Sequence, residues 1–130
     1  MTRAILFVCL LCLLFGQALS EQMSWSSKRG LFVATYSSEL DPLQINKLHS
    51  WVLHIEDAQG EVVLGATIDA DGGMPEHDHG LPTRPRVTEE LGGGDYRVEG
   101  LRFHMRGDWE LSFTVSANGK TDTVVINLTI

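Results

Sequence analysis

Hydrophobic and polar residues alternate along much of this chain with a period of two, the pattern of strands that bury one face. Trp109, Leu111, Phe113, Val115 and Ala117 alternate with Glu110, Ser112, Thr114 and Ser116. Val124, Ile126, Leu128 and Ile130 repeat the pattern, and Asn118 with Gly119 between the runs favours a tight hairpin, because both tolerate positive φ. Tyr96 and Val98 share one phase, whereas Leu101, Phe103 and Met105 share the other. The switch at Glu99 and Gly100 predicts a bulge, where one extra residue turns the later side chains over. By the same phase, His104 faces away from Phe103. His49, Trp51, Leu53 and Ile55 make another alternating face, and residues 57–60 read as a hairpin turn into a strand over residues 62–70. That hairpin places His49 opposite Ile68. Residues 31–36 read as a first strand and residues 87–91 as a short one. Asp41 followed by Pro42 has the cap-then-proline form of a helix start, with room for about two turns before the strand pattern resumes.

About seven short strands joined by Gly-rich turns predict an all-β fold, an immunoglobulin-like β-sandwich. The first twenty residues do not join it. Arg3, the unbroken apolar run from Ala4 to Phe15 and the small residues Ala18 and Ser20 have the three-part form of a cleavable signal peptide. A spanning helix needs about 20 apolar residues, so the run is too short for a retained membrane anchor. Residues 21–130 are then a single β-sandwich domain, periplasmic or secreted.

Export changes what chemistry is available. Both cysteines, Cys9 and Cys12, fall inside the apolar run, so the remaining domain has no thiol for a disulfide or a metal. Loss of Arg3 takes the formal charge from −7 to −8. Such a balance argues against nucleic acid and anionic membranes as partners, since both are bound with clustered Lys and Arg.

One segment departs from strand-and-turn monotony. Residues 71–85 contain three prolines and three glycines and read as a long irregular loop. Met74, His77 and His79 fall within six residues of it, and in an extended backbone the side chains at i and i+2 point the same way. Imidazole suits copper and zinc, and thioether sulfur selects Cu(I), so a Met-plus-His set without cysteine points to copper. Met74 in the loop, and Met105 and His49 on the core phase, are the candidate completions of a set built on His77 and His79. Residues 69–72 resemble the opening of a calcium loop, but its twelfth position is Gly80 rather than Glu. No phosphate loop, zinc-protease helix motif or Gly-flanked nucleophilic serine is present, and no catalytic role is assigned.

The run Gly72-Gly73-Met74-Pro75-Glu76-His77-Asp78-His79-Gly80-Leu81-Pro82-Thr83 resembles the signature of YtkA-like domains. So do Gly94 to Val98, Gly100 to Met105 and Gly107-Asp108-Trp109. The resemblance implies an exported or membrane-tethered immunoglobulin-like sandwich, related to FixH proteins and their link with copper supply to terminal oxidases. It supplies no catalytic residues. Two functions remain in view: a soluble carrier that binds copper, and a metal-free interaction module that docks on an envelope protein partner through a sheet edge or the same loop.

Overall fold

The computed structural model describes residues 22–130; the signal peptide expected at residues 1–20 lies outside the described residues. Nine strands follow one another: β1 (Trp25–Ser26), β2 (Phe32–Ser38), β3 (His49–Asp57), β4 (Thr67–Met74), β5 (His79–Gly80), β6 (Arg86–Gly92), β7 (Asp95–Leu101), β8 (Asp108–Ala117) and β9 (Lys120–Thr129). A single 3-10 turn, Pro75–His77, separates β4 from β5. Among the described residues no helix is long and apolar enough to cross a membrane.

The strands form two antiparallel sheets, ordered β1-β2-β3-β7-β6 and β5-β4-β8-β9. Without the two-residue strands, the seven long strands in chain order A to G lie as A-B-E-D against C-F-G. That is the immunoglobulin constant-type arrangement, and it agrees with the seven strands the alternation predicts. The alternating residues of β8 and β9 all turn inward in register, with Phe113 opposite Val124 and Leu111 opposite Ile126. The predicted bulge is present. His49 pairs with Leu101 but Trp51 with Val98, so β7 carries one extra residue, and Gly100 sits there at φ +83. Tyr96, Val98, Leu101 and Phe103 consequently all reach the core.

Three expectations fail. Residues 57–60 turn the chain and Glu56 bridges antiparallel to Val62, with the Val63 N–H on the Ile55 carbonyl at 3.0 Å, but the pairing stops there, because β3 and β4 belong to different sheets. His49 therefore faces Leu101, and Ile68 faces Val115. The strand expected at residues 62–70 begins only at Thr67 and runs on to Met74, since residues 62–66 are the crossing between sheets. Tyr96 holds that crossing: its hydroxyl donates to the Val63 carbonyl at 2.7 Å and accepts from the Ala66 N–H at 3.1 Å. No helix forms at Asp41-Pro42, where the peptide is cis and the chain bends instead.

Asp122 ties the two sheets together at the far side. It lies on β9 only 6% exposed, and its carboxylate accepts the N–H of Arg29 at 2.8 Å and of Thr123 at 2.9 Å. Burial pushes its pKa up, but hydrogen bonds from Ser27 and from the backbone of Arg29, Thr123 and Leu31 outweigh it and hold the group at about 2. A folded pKa below the unfolded one stabilises the protein above the unfolded value, and that gain is lost as pH falls through the folded value. Asp122→Asn is therefore expected to lower Tm at pH 7, with the gap to wild type closing between about pH 5 and pH 2. Thermal melts across that range test it; a gap independent of pH would contradict the assignment.

Candidate metal centre

The Met/His segment is more ordered than its prolines and glycines suggest. Its first residues continue β4, which doubles back so that Gly73 pairs with Gly80 and Met74 with His79. The glycines permit close approach. A Cβ on Gly72 would lie 2.5 Å from Leu111 Cδ2, and one on Gly73 would lie 2.5 Å from the His79 carbonyl oxygen. The tip is irregular, with Pro75 opening the 3-10 turn and Asp78 in the left-handed region at φ 51, and so are residues 81–85 beyond the hairpin.

That tip alters the expected geometry of His77 and His79. They do not share one extended segment, because the turn and the positive φ of Asp78 separate them. Their rings nonetheless lie near one another, with centroids 6.4 Å apart and planes 24° from parallel. Both residues are exposed. His79 also borders an open cleft of about 380 Å³ whose rim includes Asp71, Asp78 and Glu110 as well as Lys28.

The other expected ligands do not gather there. Met74 is 1% exposed, and its Cε occupies the space that a side chain on Gly107 would need, since a Cβ there would lie 2.8 Å away. Met105 is half-buried and packs against the core. His49 is 5% exposed: its ring sits 5.7 Å from that of Phe103, and its Nδ1 bonds to the Lys47 carbonyl at 2.9 Å. Its Nε2 is buried without a partner. His54 has both nitrogens engaged, by Asp95 at 2.6 Å and Glu56 at 3.2 Å. Burial alone would lower its pKa, but the two carboxylates reverse that and raise it.

His104 is the residue that strand parity misplaces. Expected to face away, it lies edge-on to His79, with centroids 6.2 Å apart and planes at 79°. It also meets Trp109 edge-on at 5.5 Å. Period two holds only while a strand is paired, and β7 ends at Leu101. Beyond it the connection is shaped by other bonds: the Asn46 N–H to the Phe103 carbonyl at 2.7 Å, and Trp109 Nε1 to the Met105 carbonyl at 3.0 Å. The sequence signal available for this was Gly107, which marks the end of regular pairing before β8. Among the described residues, no three His, Cys, Asp or Glu side chains stand close enough to hold one ion as they lie.

The profile of the YtkA-like family matches residues 33–114, a span that includes all the histidines and both methionines discussed here. Among solved structures, a DUF4426 family protein from Pseudomonas aeruginosa PAO1 superposes with a TM-score of 0.54 at 16% sequence identity. The match covers 78% of this chain and 91% of that one, and at this identity the likeness is one of fold. No curated protein matches.

Proposed function

The chain belongs to the YtkA-like family, and from that premise we propose that it is an exported β-sandwich carrier that binds copper at its β4–β5 hairpin. The observation that carries this reading is the pairing of His77 and His79, two exposed imidazoles with ring centroids 6.4 Å apart on a hairpin whose backbone is fixed by Gly73. An ion bound to two imidazole nitrogens at about 2 Å holds their rings within about 6 Å, so modest rotation brings these two into range. Residues 21–130 contain no cysteine, which leaves imidazole and thioether as the soft donors of the exported domain. The acidic balance and the carboxylates beside His79 favour the approach of a cation. No reaction is part of this function.

The test is a titration of the tag-free protein with Cu(I) and with Cu(II), alongside a His77→Ala/His79→Ala variant. One equivalent is expected to bind the wild type, and the variant to bind at least about 100-fold more weakly, the upper range for losing even an outer-shell partner. Equally weak uptake by the two proteins would remove copper binding as the function. The domain would then be a metal-free module docking on an envelope protein.

A further inference from the structure

We infer that His104 is a ligand of the ion together with His79, so that the bound metal clips the β4–β5 hairpin to the connection between β7 and β8. This rests on the copper reading above and assigns it a residue from a second element of the fold.

The rings of His79 and His104 have centroids 6.2 Å apart, close to the span of about 6 Å that two imidazoles sharing one ion occupy, and His104 stands on a second element of the fold. Nδ1 of His104 is moreover buried and has no hydrogen-bond partner. An orphaned polar atom of this kind costs about 1–3 kcal/mol and calls for a partner.

The backbone that carries His104 is also held firmly. Asn46 bonds to the residue before it, Trp109 Nε1 to the residue after it, and Gly107 exchanges two hydrogen bonds with Ile130 at 2.9 and 3.0 Å. Hairpin residues His77 and His79 stand on the opposite bank, so an ion between His79 and His104 spans two supports that are far apart in sequence. Met74 is committed to packing over Gly107 and Met105 to the core, so the donors presented are imidazoles. Imidazoles suit Cu(II), and His77 is left to complete the set from the solvent side.

Trp109 provides a direct readout. It alone of the three tryptophans touches His104, whereas Trp25 and Trp51 contact Tyr36. Cu(II) titrations followed by tryptophan emission are to be run on the tag-free protein, on His77→Ala, on the His77→Ala/His79→Ala pair and on His104→Phe. The last keeps a ring against Trp109 but removes the nitrogens; His104→Gln serves if the phenylalanine variant melts early. Wild type is expected to quench with one equivalent. His104→Phe and His104→Gln should lose more than the roughly 10–100-fold typical of an outer-shell partner, and His77→Ala should lose less. Wild-type affinity and quenching in the His104 variants, with uptake lost in the double variant, would overturn this inference and leave the hairpin site standing. Failure of the wild type itself to bind Cu(II) or Cu(I) would overturn both.

Discussion

Replacing Phe103 with alanine is expected to lower the unfolding free energy by about 3–5 kcal/mol, the usual cost of deleting a buried aromatic ring. Phe103 is 0% exposed and sits in the core at the end of the sandwich that carries His104 and the β4–β5 hairpin. Its ring lies edge-on to Trp109 at 5.2 Å and tilted against Trp51 at 6.4 Å, and it covers His49. Those neighbours are themselves large and anchored: Trp51 stacks on Tyr36 at 3.9 Å, and Trp109 is tethered through its indole N–H. They cannot collapse into the space, so the cavity term is retained in full. Domains of this size have about 5–15 kcal/mol in total, so the variant should approach the limit of folding. Urea unfolding at constant m measures the loss. A drop below about 1.5 kcal/mol would mean that this end of the sandwich is not packed as described. Phe103→Leu, which keeps most of the volume, should cost less than Phe103→Ala.

The second large effect separates two glycines that face each other across the same hairpin. Gly73→Ala places a methyl group 2.5 Å from the His79 carbonyl oxygen, a backbone atom that can yield only if the hairpin opens. Overpacking of this kind costs about 1–3 kcal/mol. Here it should also displace His79 and weaken the proposed copper binding by more than 10-fold, on the order of a lost outer-shell contact. Gly80→Ala meets nothing nearer than 3.9 Å and should stay within about 0.5 kcal/mol of wild type, as ordinary surface changes do. Melting temperature and Cu(II) affinity of both variants form the comparison. Equal costs at the two positions would show that Gly73 is not the contact that shapes the site.

These predictions depend on features that were legible to different degrees. The β8–β9 hairpin, the β3 face, the bulge at Gly100 and the short β6 all follow from local rules: alternation, positive-φ turn residues and a change of phase. The hairpin character of the Met/His segment was hidden because glycine has two uses. Gly72 and Gly73 look like turn formers, yet they stand in β4 because Leu111, Glu110 and His79 leave no room for a side chain. Asp41 with Pro42 carries a helix-start pattern that no amphipathic segment follows, and it serves a bend.

Periodicity thus determined, from the sequence alone, which residues of β3, β7, β8 and β9 face inward and that the chain makes an immunoglobulin-like sandwich. It also fixed that His and Met are the only soft ligands in residues 21–130. Tertiary structure decided how the strands are partnered. A short turn after an alternating run is compatible with a hairpin or with a crossing to the other sheet, and only the packing of residues 62–66 under Tyr96 selects the crossing. The same holds for the site. His49 shares its phase with Trp51 and is sequestered against Phe103, whereas His104, outside any paired strand, is turned by Asn46 and Trp109 toward His79. Strand parity reports a side chain's face only where a ladder of backbone hydrogen bonds enforces it, and the third imidazole of this end stands just beyond that ladder.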